Sequence, residues 1–168
     1  DYSALKNQIN QMSNTPWLAG LPGWGKTASL AELQAAANDL LAEEDERKLA
    51  AYLRIFWRRA FPTHIDGLLV LANDGRKRVR YSAVTALSNV HHPLVRELAL
   101  TLLSSVDRSE DGIELLCSNF EPGDFELVEQ ALLRSDNDDS SHGIGSSIRT
   151  LLERHLSPEA EKSLLILY

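Results

Sequence analysis

The chain is predicted to be all-α, and three features of its sequence carry that expectation. From residue 29 onward, apolar residues recur at three- and four-residue spacing, the period of one helix face. No stretch of useful length alternates apolar and polar residues, which is the mark of a half-buried strand. Gly, Pro, Asn and Asp interrupt the apolar stripes often, so the predicted helices are short and tightly joined.

Residues 1–28 are punctuated by Asn14, Pro16, Gly20, Pro22, Gly23 and Gly25 and read as an irregular N-terminal extension. Residues 29–168 read as one helical domain. Ser29 with Glu32 three places on has the form of a capping box, and Leu30, Leu33, Ala37 and Leu40 follow on one face. Leu49, Leu53, Phe56 and Ala60 predict a second helix ended by Pro62. Ile65, Leu68, Leu69 and Ala72 give a third, and Val79, Ala83, Ala86, Leu87 and Val90 a fourth. Pro93 suits the first position of a fifth, running to Leu102. Ile113, Leu116 and Cys117 mark a sixth, and Asp124 caps a seventh through Leu132. A polar loop at 135–145 separates these from an eighth helix through Ile144, Ile148 and Leu152 and a ninth opened by Ser157-Pro158-Glu159.

Length and composition restrict the function classes. At 168 residues the chain is about one domain's worth and can bury a core without staples. Its apolar runs are too short to cross a membrane. One cysteine, Cys117, excludes an internal disulfide and a multi-cysteine zinc site, and a cytoplasmic setting is expected. The chain opens at Asp1 and closes on Leu164-Leu165-Ile166-Leu167-Tyr168, so a piece of a longer protein is expected. Seventeen basic residues against 24 acidic give a net charge of −7, which argues against a protein built mainly to grip nucleic acid. The charge is uneven: residues 43–100 hold ten basic and seven acidic residues, residues 101–168 five and fourteen.

A local pattern recurs: an apolar residue, Arg, and small or apolar residues at helical spacing. It reads Val79-Arg80, Ala83, Ala86-Leu87 and again Val95-Arg96, Ala99, Leu102-Leu103. Looser copies are Leu53-Arg54, Trp57, Ala60-Phe61 and Ile148-Arg149, Leu152, His155-Leu156. Asp74 to Val90 resembles the first helix of a HEAT repeat, and His92 to Ala99 resembles the same signature; the resemblance covers about residues 45–105. The two best copies begin at Val79 and Val95, one helix apart where that family spaces them by two. The resemblance implies an α-α superhelix of the HEAT or armadillo type with a curved binding surface; the alternative architecture is a compact irregular helical bundle. Stacked helix pairs of this kind bury their stripes only against neighbours.

Motifs for chemistry are sparse. Gly20-Leu21-Pro22-Gly23-Trp24-Gly25-Lys26-Thr27 matches a phosphate-binding loop letter for letter, but that chemistry needs a strand leading into the loop, and Gln11 to Ala19 has no strand pattern. The expected role is packing of Trp17 and Trp24 onto the first helices. Asp136-Asn137-Asp138-Asp139-Ser140 has the opening of a calcium loop, yet Ser141 stands where the glycine belongs and Ser147 where the glutamate belongs. His64, His91, His92, His142 and His155 have no zinc spacing, and no nucleophile signature is present. No cofactor, no metal and no catalytic residue is assigned.

Between positions 54 and 80 lie Arg54, Trp57, Arg58, Arg59, Arg76, Lys77, Arg78 and Arg80. Arg80 and Arg96 are expected to form an internal ladder to an Asp or a carbonyl of the next layer. Arg58, Arg59, Arg76, Lys77 and Arg78, with Trp57, form the candidate binding surface. Cations at a helix start oppose its dipole, so Arg76, Lys77 and Arg78 suggest a partner. The function expected is a non-enzymatic interaction scaffold that engages another protein or another domain, with no membrane contact. Nucleic-acid binding through 54–80, in the manner of HEAT-like DNA glycosylases, is the alternative, and a nucleotide site at 20–27 rests on the motif alone.

Overall fold

The computed structural model describes residues 1–11 and 16–135, with side chains described for 1–11 and 18–134. Among the described residues there are nine α-helices and no strand, so the chain is all-α. It divides into two compact units, residues 1–90 and 91–168. That boundary falls inside the 29–168 span read from sequence as one domain. Ser135 ends the last described helix. The rest of the 135–145 loop, the calcium-like run from Asp136, the eighth and ninth helices, the copy at Ile148-Arg149, His142 and His155 lie outside the described residues.

The first unit contains α1 (Tyr2–Gln11), a 3-10 turn (Pro16–Gly20), α2 (Leu21–Thr27), α3 (Leu30–Ala42), α4 (Glu46–Arg54), α5 (Asp66–Leu71) and α6 (Lys77–Leu87). The described residues of the 1–28 segment are therefore largely helical rather than irregular. In α1, Leu5 and Ile9 lie four apart and are both buried, while Lys6 pairs with Asp39 of α3 at 3.2 Å. In α2, Pro22 sits in the first turn, where its missing N–H costs nothing. Gly25 is buried where α2 meets the end of α4: a Cβ there would lie 1.8 Å from the Ile55 carbonyl oxygen. The residues that look like breakers are tolerated because one opens the helix and the other permits contact. Trp24 packs on Tyr2, ring centroids 6.0 Å apart; the side chain of Trp17 lies outside the described ones.

The capping box of α3 is present, with Ser29 and Glu32 each accepting from the other's backbone N–H. Asp45 caps α4 by accepting from the Lys48 amide at 3.1 Å. The second helix stops at Arg54, six residues short of Ala60. There the hydrogen bonds tighten to three-residue spacing, from Ile55 to Tyr52, Phe56 to Leu53 and Trp57 to Arg54. The tighter turn puts Ile55 and Phe56 fully inside, with Phe56 edge-on to Phe61 at 4.9 Å. Leu33, Ala36, Ala37 and Leu40 of α3 and Leu49, Ala51 and Leu53 of α4 meet Leu68 of α5 and Val79, Ala83, Ala86 and Leu87 of α6 in one core.

The second unit contains α7 (Pro93–Leu103), α8 (Ser109–Leu116), a 3-10 turn (Pro122–Asp124) and α9 (Phe125–Ser135). Pro93 occupies the first turn of α7, and His92 caps it by accepting from the Leu94 amide at 3.0 Å. The antiparallel contact of α7 with α8 depends on Gly112. A Cβ there would fall 2.7 Å from the Leu103 nitrogen and 2.8 Å from the Ala99 oxygen, so the two backbones touch directly.

Arg96 reaches an Asp and a carbonyl, the kinds of partner expected of it, while the ladder of Arg80 and Arg96 does not form because Arg80 stays with the Asp74 carbonyl just before its own helix. The Arg96 guanidinium makes two bonds to Asp124, at 2.6 and 2.8 Å, and a third to the Asn119 carbonyl at 2.8 Å. The Asp124 side chain is 4% exposed. Burial pushes its carboxyl up, but the Arg96 bonds, the Glu121 amide at 2.7 Å and the Arg96 charge outweigh that and hold it below its usual range. The pair ties the start of α7 to the turn that launches α9.

Gly112→Ala is expected to destabilise the second unit by about 1–3 kcal/mol through overpacking. Gly123→Ala, with nothing near its missing Cβ, is expected to stay within about 0.5 kcal/mol. Urea midpoints of the two variants check the difference. Arg96→Met leaves the Asp124 carboxylate enclosed without its partner and is expected to cost up to about 3 kcal/mol, whereas Arg78→Met, an exposed control, leaves the melting temperature unchanged.

Candidate functional site

Two helical stripes of the first unit face each other across a groove. On α4 the stripe is Arg47, Ala50, Ala51 and Arg54; on α6 it is Arg78, Tyr81 and Ser82. Three- and four-residue steps bring each set to one face. With Leu18 they enclose about 340 Å³. The small side chains Ala50, Ala51 and Ser82 are buried and form the floor with Leu18, and the longer ones stand at the rim. Tyr81 is 59% exposed there.

Trp57, carried by the tight turn after α4, lies outside the lining but touches three of its members. Its indole N–H donates to the Ser82 carbonyl at 3.2 Å. Its ring meets Tyr81 edge-on at 6.2 Å, and the Arg54 guanidinium lies 4.6 Å from its centroid, a cation–π contact. The Asn89 side-chain amide donates to the Trp57 carbonyl and, at 3.4 Å, to that of Phe56, so the turn is fixed from α6's far end. Among the described residues, neither Arg47, Arg54 nor Arg78 forms an ion pair with a carboxylate.

The sequence-derived binding surface separates into three groups. Arg78 lines the groove, and Trp57 supports it from outside through Arg54, Tyr81 and Ser82. Arg59 and Arg76 serve the fold: Arg59 donates to the Lys26 and Ala28 carbonyls at 3.1 and 3.3 Å, and Arg76 grips Asp74 at 2.9 and 3.0 Å and the Glu44 carbonyl at 2.8 Å. Arg58 and Lys77 are exposed and lie outside the groove lining. Arg80 donates to the Asp74 carbonyl at 3.2 Å, within its own layer. Arg47 and Tyr81 were not singled out in the sequence. Their signal was the i, i+3, i+4, i+7 arrangement of Arg and Ala on α4, which needs α6 as a partner before it reads as a site.

No family model, no curated protein and no solved structure matches the chain. The phosphate-loop letters at 20–27 fold as the end of a 3-10 turn and the helix α2, so their amides run along a helix instead of wrapping an anion. Among the described residues no three His, Cys, Asp or Glu side chains gather as a metal site, and no helix is long and apolar enough to cross a membrane. Cys117 is buried, its thiol 3.6 Å from the Ile113 carbonyl.

The Asp74–Arg76 pair at the start of α6 carries a pH dependence. The Arg76 side-chain bonds, the Arg76 amide and the Arg76 charge hold the Asp74 carboxyl down to about 2. The ordinary carboxylate value is about 3.9, so the stabilisation is complete above that value and drains away as the pH falls toward 2. The first unit is expected to lose denaturant resistance between about pH 4 and pH 2, and Asp74→Asn to flatten that loss. Chemical denaturation of both proteins at pH 5 and pH 3 gives the comparison; parallel curves would show that Asp74 does not contribute.

Proposed function

We propose that the chain is a non-enzymatic, HEAT-like helical-repeat scaffold that works in a reducing cytoplasmic setting. It holds another protein, or another domain, against the α4–α6 face of its first unit. The observation that carries this reading is the groove: three arginines and an exposed tyrosine converge on a floor of small side chains, and among the described residues no carboxylate pairs with those arginines. Charges left without partners at a shaped cavity are suited to a ligand's charges. The repeat part of the reading is supported by the serial packing of short helices, α5 and α4 on α6 and α7 on α8, and by the Arg96–Asp124 tie across 28 residues. A single cysteine, which cannot form an internal disulfide and is buried, suits a reducing compartment. The mechanism is complementarity of shape and charge, without bond making.

A nucleic acid is the competing occupant of a basic face. It is less well matched, because the first unit holds eleven basic residues against nine acidic ones, and two of the basic ones, Arg59 and Arg76, are consumed by backbone carbonyls and Asp74. Affinity capture with the wild type and with Arg47→Ala/Arg78→Ala tests the interaction reading. Both side chains are exposed, so the double variant is expected to melt like the wild type and to retain bound protein about tenfold less well. Equal retention by both would place the interface elsewhere.

A further inference from the structure

We infer that the α4–α6 groove receives an acidic peptide in the extended polyproline II form, with two carboxylates three residues apart and an aliphatic side chain between them. The inference rests on the scaffold reading for the location of the interface and goes beyond it in specifying what is recognised.

The geometry supports this choice in three ways. Arg47 and Arg54 stand seven residues apart on α4, a rise of about 10 Å at roughly 1.5 Å per residue. A peptide in the extended polyproline II form advances about 3.1 Å per residue and completes a turn every three, so its positions i and i+3 lie on one side about 9 Å apart. Arg78 adds a third guanidinium from the opposite wall. Guanidinium groups suit this task because their donors match a carboxylate in pairs.

Between the two arginines the floor is Ala50 and Ala51, with Leu18 beside them. An aliphatic side chain between the two carboxylates would remove that apolar surface from water. A run of phosphodiesters has no such group to offer. Single-stranded nucleic acid would instead require an open aromatic face for its bases. The Trp57 ring already carries Arg54 against it, which leaves the exposed Tyr81 as the one aromatic ring among the lining residues, a single platform where successive bases need several. The cavity, about 340 Å³, is at the small end of ligand sites and takes side chains rather than a duplex.

The test is fluorescence anisotropy with a labelled peptide containing Glu-Leu-Leu-Glu, the same peptide with both Glu replaced by Gln, and a short single-stranded oligothymidylate. The acidic peptide is expected to bind wild type and to weaken as salt rises. Arg47→Ala and Arg78→Ala are each expected to reduce its affinity about tenfold, and the Gln peptide to bind at least tenfold more weakly. Arg58→Ala and Lys77→Ala are expected to leave affinity within twofold, since those cations lie outside the groove. Equal losses from the groove and control variants would reduce the effect to bulk charge and overturn the proposal. Tighter binding of the oligothymidylate than of the peptide would also overturn it, in favour of nucleic acid. If neither probe binds while Arg47→Ala/Arg78→Ala still sheds captured protein, the acidic peptide is wrong and the scaffold reading stands.

Discussion

Close approach of helix backbones is the constraint on which the two units depend. The helices are short, six to thirteen residues among those described, and none buries enough apolar surface by itself to be stable in water. Each must therefore be held by its neighbours, and the contacts are made where side chains are smallest. Gly25 lets α2 touch the end of α4, and Gly112 lets α7 and α8 touch along their length. Ala36 and Ala37 on α3, Ala51 on α4, and Ala83 and Ala86 on α6 are essentially inaccessible. The same small residues that allow packing also form the groove: where Ala50, Ala51 and Ser82 face one another, the helices meet at the floor, and the longer residues beside them become walls.

Much of this architecture could be read from the residues. The capping box at Ser29 and Glu32, the first-turn proline at Pro93 and the four-residue apolar steps of α5 to α7 involve neighbours in sequence, and local chemistry decides them. Two readings failed for the opposite reason. Pro22 and Gly25 are helix breakers by intrinsic propensity, but α2 forms because a tertiary contact with Ile55 needs a missing Cβ at position 25. Phe56 and Ala60 continue the stripe of α4, but the chain turns out of it at Arg54 so that Phe56 can enter the core. The basic cluster shows the same limit. Its composition was visible, but the roles of its members depend on which carbonyls and carboxylates lie nearby. Those partners are far in sequence: Lys26 and Ala28 for Arg59, Glu44 for Arg76.

The arginines thus divide into those used by the fold and those left available. Arg96 is locked by an enclosed carboxylate and a carbonyl, and such a pair confers specificity of arrangement more than net stability. Arg59 and Arg76 stitch loops to helices. What remains at the groove is a small set of charges, and the division explains how a chain with a net charge of −7 can present a basic face.

The stacking of Arg54 on Trp57 has a consequence for how that face behaves when empty. An aromatic ring can aim a guanidinium without cancelling its charge, whereas a carboxylate would aim it and cancel it at once. Because Trp57 is itself pinned through Ser82 and Asn89, the cation is pre-oriented by a neutral support. Among the described residues no carboxylate pairs with this cation, so an anion arriving here would have none of those counter-ions to evict and little rotamer freedom to freeze, and would meet a field already in place.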